Sequence, residues 1–180
     1  MRESYDHQLE LVLDALVAMT AEVRQAVNSA TTALLTGDPA AAERVIVGDR
    51  LIDADREDIE AAACALLALQ QPVATDLRTL VAALRMVAEL ERIGDHAVHV
   101  AETARRRAPA SAVPEAMLPT ITEMAHIADR MLGTVAEVIA NRDPRGARRL
   151  DDDEEQMDAL RRESFRRLLA STWAYGVATA

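Results

Sequence analysis

The sequence of 180 residues contains no lysine and only one cysteine, and aromatic residues make up just 2% of it. A lone cysteine, Cys64, forms no internal disulfide, and its apolar neighbours predict a buried structural thiol. Glycine and proline are also scarce, at six each, whereas half of the residues are hydrophobic. Abundant alanine, leucine and glutamate with few aromatic residues favour helices over strands. We therefore expect an all-α fold with a sizeable core.

No stretch of the sequence is apolar for long enough to span a membrane, and the first residues lack the apolar region of a signal peptide. The formal net charge is −10, and an acidic surface repels phosphate backbones, so a nucleic-acid partner is disfavoured. Nucleophile elbows, glycine-rich phosphate loops and paired cysteine motifs are absent as well. These absences predict a cytoplasmic protein that is not an enzyme.

Hydrophobic residues recur at helical spacing through most of the chain and predict five long helices. Gly37 is placed to end the first helix, and Pro39 to begin the second. The proline-containing segment that follows the third helix predicts a linker. Helices of this length with short joints pack as antiparallel bundles. The expected helical ranges are 5–36, 39–70, 74–107, 114–141 and 144–170.

The joints between the predicted helices repeat along the chain. The segments TGDPAAAERVIVGDR and NRDPRGARRLDDDEE align on their Asp-Pro pairs at an offset of 105 residues. This alignment places Glu154 opposite Asp49, and Asp158 opposite Asp53. A shorter match joins PVATD to GVATA at an offset of 104. The chain is therefore expected to contain two copies of a three-helix unit.

The second copy is incomplete in this interpretation. Residues 1–108 form the first three-helix bundle, and residues 112–180 form two helices and a short stub where a third helix should begin. Two amphipathic helices without a third leave apolar faces uncovered. We therefore expect self-association through the second unit, or an exchange of helices with a neighbouring copy.

One face of the third predicted helix changes from apolar to acidic. Like charges four residues apart destabilise a helix by roughly 0.2–0.5 kcal/mol per pair, so this face needs a counter-charge. Arg78, Arg85 and Arg92 beside the stripe are one source, and a metal ion is the other. At 100° per residue, the stripe consists of Leu77, Val81, Leu84, Ala88, Glu91, Asp95, His99 and Glu102.

The second predicted helix carries a matching set of acids. Asp49 and Asp53 lie four residues apart on one face, at the border of its apolar stripe. Oxygen-rich ligands from two helices suit hard cations. Gly94 costs its helix about 1 kcal/mol relative to alanine, and we expect that it permits close packing.

The segment PVATDLRTLVAALRMVAELERIGDHAVHVAE resembles the third-helix signature of the PhoU family, the accessory and regulatory proteins of phosphate transport. The resemblance extends across residues 1–180 and is most specific at the ERIGDHA core. Two three-helix bundles with paired acidic motifs are typical of that family. In this sequence the motifs are Asp49-xxx-Asp53, Glu91-xxx-Asp95 and Glu154-xxx-Asp158.

The resemblance implies a cytoplasmic regulator without enzymatic activity, which forms a homodimer and is peripheral to the membrane only through its partners. Those partners would be the ATPase subunit of a phosphate ABC transporter and a sensor histidine kinase, and the protein would restrain the phosphate-starvation response. A divalent or ferric metal, Fe, Mn, Mg, Zn or Ca, would bind between the second and third helices. Its expected ligands are Asp49, Asp53, Glu91 and Asp95, with His99, Glu102, Glu154 and Asp158 as further candidates.

Two other functions stay open. Glu123 and His126 have the Glu-x-x-His spacing of ferritin-like di-iron carboxylate proteins. That fold needs a second such pair and two further glutamates, and the sequence has no second pair. His126 is therefore expected to be a partly buried polar residue. A metal-free helical adaptor is the third function, and it differs from the first in whether metal binds.

Overall fold

A computed structural model of the chain describes residues 2–70, 75–170 and 173. Within these residues the regular structure is helical, and no strand is present. None of the helices in these ranges combines the length and the apolarity that a membrane span needs. The predicted all-α class is confirmed. In chain order the helices are α1 (Arg2–Thr36), α2 (Pro39–Gln70), α3 (Thr75–Arg107), α4 (Leu118–Asn141) and α5 (Arg149–Leu168).

The first three helices form a bundle in which each helix packs against the other two. Near the joint of α1 and α2 the core consists mainly of alanines, such as Ala33, Ala42 and Ala101, and these small side chains let the helices approach closely. The rest of the core is built from larger side chains of all three helices. Among these are Leu16, Met19, Val23, Ile52, Ile59, Leu80 and Val87.

The fourth and fifth helices extend the bundle on one side. α4 packs along α1, and its Leu132 and Ile139 join the core of the first three helices. α5 packs against α4, and none of its residues is buried. Two large apolar side chains at its end, Phe165 and Leu169, are mostly exposed. The predicted stub after α5 lies, apart from residue 173, outside the described residues.

The joints after α1 and α4 have the same local geometry. Gly37 and Arg142, which are 105 residues apart, both adopt left-handed backbone conformations, with φ of 70° and 50°. The following residues, Asp38 and Asp143, each accept a hydrogen bond from the N–H two residues further on, at 2.9 and 3.0 Å. The offset of 105 in the sequence is therefore a structural equivalence at these joints. The predicted role of Gly37 is confirmed.

The starts of the last two helices differ from the prediction. α4 begins at Leu118, because Glu115–Met117 forms a 3-10 turn and Pro119 occupies the first turn of the helix, where no N–H is needed. α5 begins at Arg149, after a second 3-10 turn at Gly146–Arg148. The predicted start of the third helix at residue 74 lies outside the described residues.

Two predictions about single side chains are wrong. Cys64 is exposed, because α2 turns Ala63 and Leu66 toward the core and Cys64 away from it. The surrounding run of small apolar residues has no clear period, so the sequence did not distinguish the two sides. His126 is also exposed, beside the buried Ile127. Both residues lie one position away from a core residue on their helices.

Candidate metal centre

The acidic residues of α2 and α3 lie where the two helices approach closely. A Cβ built on Gly94 of α3 would lie 3.2 Å from Cδ1 of Ile52 and 3.6 Å from Oδ1 of Asp49, both on α2. Gly94 is buried, so its missing side chain allows α2 and α3 to close at the level of the acids. The prediction that Gly94 serves close packing is confirmed.

Four carboxylates, Asp49, Asp53, Glu91 and Asp95, are called the acid cluster below. Asp49 is half-buried, and burial raises its pKa above the usual value for an aspartate. The charges of Asp53, Asp95 and Glu91, in that order, raise the pKa of Asp49 further, whereas His99 acts in the opposite direction. The fold thus brings the four predicted ligands of the first unit into electrostatic contact, from two helices. His99, a further candidate, is close enough to act on the same carboxylate.

The arginines expected to neutralise the acid cluster are engaged elsewhere or lie apart from it. Arg92 pairs with Glu89 at 3.0 Å. Arg78 and Arg85 lie beside exposed apolar residues on the first half of α3. In the described part of the chain, no arginine forms an ion pair with a member of the acid cluster. Among the described residues, its negative charge is therefore not balanced by an ion pair with arginine.

The apolar half of the α3 stripe lies mostly at the edge of the core. Leu77 and Val81 are exposed, with 42% and 37% of their surfaces accessible. α3 instead faces the core through a neighbouring set of residues that includes Leu80, Ala83 and Val87. The stripe thus lies along the edge of the bundle, where Leu84 still packs against the core and Leu77 and Val81 are exposed. This placement explains how the same edge continues as acids.

The remaining predicted ligands lie apart from the acid cluster. Glu102 is 3.8 Å from Arg106 on its own helix. Asp158 on α5 pairs with Arg161 at 3.0 Å and with Arg162 at 3.7 Å. Glu154 is exposed on the same helix. The second unit therefore supplies carboxylates that are solvated or already paired with arginine.

The donor chemistry of the acid cluster fits a hard cation, because it offers only carboxylate oxygens. Within the described ranges, however, no three Asp, Glu, His or Cys side chains are close enough together to hold a metal ion. The carboxylates act on the pKa of Asp49 without converging on a single point. Metal binding therefore requires these side chains to rotate toward one another, and Asp53 and Asp95 are exposed and free to do so.

A second pair of carboxyl groups joins α1 to α2 and was not predicted. Glu22 and Asp55 share a hydrogen bond, and burial raises the pKa of Glu22, as do the charge of Asp55 and that bond. A hydrogen bond between two carboxyl groups requires a proton on one of them. The sequence carries no signal for this pair, because its members lie on different helices at no regular spacing.

An arginine and an aspartate connect the two halves of the fold. Arg24 of α1 donates to both carboxylate oxygens of Asp129 of α4, from Nε at 2.6 Å and from Nη2 at 2.7 Å. Asn28 donates to the same carboxylate at 2.6 Å. The hydrogen bond from Arg24 and then that from Asn28 lower the pKa of Asp129 to about 2. Arg24 and Asp129 are 105 residues apart, so they occupy aligned positions when the alignment of the repeat is extended back into α1.

Comparison with known proteins places the chain among relatives that match it over most of its length. The model of the PhoU domain matches residues 16–104 and 121–179. The chain is 39% identical over all 180 residues to the phosphate-specific transport system accessory protein PhoU homolog 2 of Mycobacterium tuberculosis, and covers 84% of that protein. It is 30% identical over 166 residues, 92% of the chain, to the PhoU homolog of Rhizobium meliloti, of which it covers 70%.

The fold has a solved counterpart. The crystal structure of PhoU from Pseudomonas aeruginosa superposes with a TM-score of 0.86 at 27% sequence identity, over 92% of this chain and 78% of that one. The family model and the relatives match the chain in sequence, and the crystal structure matches its fold. The chain therefore belongs to the PhoU family.

Proposed function

We propose that this PhoU-family protein is an accessory and regulatory protein of phosphate transport. The observation that carries the proposal is 39% identity, over the whole chain, to relatives named as phosphate-specific transport system accessory proteins. In this role the protein works in the cytoplasm, as a homodimer and without enzymatic activity. It connects the ATPase subunit of a phosphate ABC transporter to a sensor histidine kinase and restrains the phosphate-starvation response.

A divalent or ferric ion bound by the acid cluster is the second part of the proposal. Its support is electrostatic, because the four carboxylates have no arginine partner in the described residues, and three of them raise the pKa of the fourth, Asp49. Asp49 and Asp53 would bind from α2, and Glu91 and Asp95 from α3. A bound Fe, Mn, Mg, Zn or Ca ion would supply the positive charge that this face lacks. The ion would then link α2 to α3 at the level of Gly94.

The ferritin-like alternative is not supported by the position of its candidate ligands. Di-iron carboxylate proteins project their ligands inward, between the helices of a bundle. Glu123 and His126 are instead both exposed on α4. A metal-free adaptor, the other alternative, differs from the proposal only at the acid cluster.

Complementation of a bacterium that lacks its own PhoU protein tests the regulatory role. The reporter is a promoter induced by phosphate starvation, measured in medium with ample phosphate. We expect the wild-type chain to lower reporter activity, because the restraint on the starvation response is restored. A folded and well-expressed chain that leaves the reporter fully active would contradict the regulatory role.

Variants of the same chain separate the regulatory role from the metal. Asp49→Asn removes the central carboxylate and should lose the repression, whereas Glu89→Gln should keep it. Glu89 is an appropriate control, because it is an exposed carboxylate on α3 that pairs with Arg92 outside the acid cluster. Full repression by Asp49→Asn would favour the metal-free adaptor and leave the regulatory role intact.

A further inference from the structure

An open apolar groove of about 510 Å³ lies between α1 and α2 on the surface of the bundle. It extends along α1 from Gln8 to Glu22, a distance of about 21 Å at 1.5 Å per residue. Leu11, which lines it, is 53% exposed. Its other lining residues include four exposed alanines, whose short side chains leave room for a second backbone to approach. These alanines are Ala15 and Ala18 of α1 and Ala62 and Ala65 of α2.

Three carboxylates lie at one end of the groove, at the level of the middle of α1 and α2. Glu22 comes from α1, and Asp55 and Asp58 come from α2. None of the residues that line the groove is basic, and these three carboxylates form no ion pair with an arginine in the described ranges. The groove therefore combines an apolar lining with an uncompensated negative end.

We propose that this groove binds an amphipathic helix of a partner protein that carries arginine or lysine at one end of its apolar face. The apolar face lies on the four alanines, and the basic side chains reach the carboxylates of Glu22, Asp55 and Asp58. The length of the groove matches a helix of about fourteen residues, or four turns. A fatty acid or an anionic lipid is disfavoured, because the carboxylates repel its head group.

A second copy of the chain is a poorer occupant. If two copies met through their grooves, the acidic end of each would be desolvated without a basic partner, because none of the lining residues is basic. The alanines of the groove face away from the acid cluster, whereas Glu22 also lines an adjoining cleft with Asp49. Ala62 and Asp53 lie nine residues apart on α2, which places them about 180° apart around the helix. Variants at Ala61 and Ala62 therefore test the groove without changing the acid cluster.

A synthetic peptide tests the proposed chemistry. The probe is a helix of about fourteen residues, cross-linked to stay helical, with leucine at i, i+3, i+4 and i+7 and arginine in the last turn. Its binding to the full chain is measured by fluorescence anisotropy. We expect saturable binding that weakens with salt, since screening reduces the attraction between the arginines and the carboxylates.

Two neighbouring alanines provide a matched pair of variants. Ala61 and Ala62 are both exposed on α2, but only Ala62 lines the groove. Ala62→Arg should weaken binding of the peptide by about tenfold or more, because it fills the groove and repels the arginines. Ala61→Arg introduces the same charge on the same helix and should leave the affinity within about twofold of the wild-type value. Circular dichroism confirms that both variants are folded.

A reversal of charge provides the second readout. Asp58 is exposed, so Asp58→Arg leaves the core intact. This variant should bind the arginine peptide more weakly than the wild type does, and should bind the same peptide with glutamate in place of arginine more tightly. A role of Asp58 in folding alone would not reverse the preference.

Three results would overturn the proposal. The first is no binding of the peptide by the folded wild-type chain at millimolar concentration, and the second is equal binding by Ala61→Arg and Ala62→Arg. The third is a dimer in sedimentation that Ala62→Arg abolishes and Ala61→Arg preserves, because it would assign the groove to a second copy. None of these results bears on the role in phosphate transport, which the reporter tests separately.

Discussion

Arg24 and Asp129 are joined by two hydrogen bonds and are separated by 105 residues, the interval at which the chain repeats. The contact of α1 with α4 thus brings together two positions that align at this interval. Glu10 and Arg142 approach to 3.8 Å in the same interface, 14 residues back along α1 and 13 residues forward along α4. The two helices therefore run antiparallel. Arg24 and Asp129 lie near the pseudo-two-fold axis that relates α1 to α4.

Exchange of the two side chains should preserve the contact. Arg24→Asp and Asp129→Arg should each lower the free energy of unfolding by about 1 kcal/mol, because each places two like charges together. The double variant should recover most of this loss, since the same two-pronged pair can form in reverse. Full recovery is not expected, because Asn28 loses its bond to the carboxylate. Urea unfolding measures all three variants.

A control pair shows whether the effect is specific to the interface. Glu89 and Arg92 are both more than 60% exposed on α3, and their ion pair lies within one helix. Removal of either should cost less than about 0.5 kcal/mol. The loss of unfolding free energy in the double variant is compared with the sum of the losses in the two single variants. If the two are equal, the contact between Arg24 and Asp129 has no energetic role.

The low pKa of Asp129 predicts an acid-dependent loss of stability. Its pKa is about 2 in the folded chain and about 3.9 in an unfolded chain, so the folded state binds this proton more weakly. The resulting stabilisation is fully present above about pH 4 and declines as the pH falls toward 2. Urea unfolding between pH 5 and pH 2.5 should therefore show a steeper loss for the wild type than for Asp129→Asn. Parallel curves would contradict this prediction.

Two glycines inside helices should respond in opposite ways to alanine. Gly94→Ala brings a Cβ within 3.2 Å and 3.3 Å of two Ile52 carbons, so we expect a net loss of about 1 kcal/mol from overpacking. Gly48→Ala meets nothing within 4 Å and should gain about 1 kcal/mol, because alanine favours the helix. Thermal unfolding measures both. A gain for Gly94→Ala equal to that for Gly48→Ala would show that the α2–α3 contact is loose.

Asp49 should destabilise the metal-free protein at neutral pH. Its pKa is raised in the folded state, which therefore holds this proton more tightly than the unfolded state. Protonated Asp49 therefore stabilises the folded state below the pKa of the unfolded chain, and this stabilisation is lost as the pH rises through the pKa of the folded chain. Asp49→Asn also removes a like-charge pair with Asp53, worth roughly 0.2–0.5 kcal/mol. In buffer with a chelator, Asp49→Asn should gain stability over the wild type as the pH rises from about 4 to about 7. If the free energy of unfolding of Asp49→Asn differs from that of the wild type by the same amount across this pH range, the raised pKa is contradicted.

The helices and the core could be predicted from the sequence because they depend on local patterns. Periodic apolar residues indicated α1 to α3 to within three residues at the described ends, and the Asp-Pro joints indicated the repeat. The boundaries of the two predicted units, 1–108 and 112–180, stay a prediction. The starts of α4 and α5 were misplaced, because 3-10 turns have the same composition as a first helical turn.

The candidate site was only partly readable from the sequence. Spacing placed Asp49 with Asp53, and Glu91 with Asp95, because each pair lies within one helix. Pairs that connect different helices, such as Glu22 with Asp55, depend on how the helices pack and leave no spacing signal. Spacing also does not predict that Leu77 is exposed, since an apolar flank and an apolar core face have the same period.

Metal binding to the full chain is the most direct test of the proposed centre. Isothermal titration of Mn²⁺ into the metal-free wild type should show saturable binding, and Glu89→Gln should bind as the wild type does. Asp49→Asn should lose the binding, because Asp49 is the carboxylate on which Asp53, Glu91 and Asp95 all act. Binding that is undiminished in Asp49→Asn, or no binding of Mn²⁺ or Fe by the wild type, would contradict a metal centre between α2 and α3.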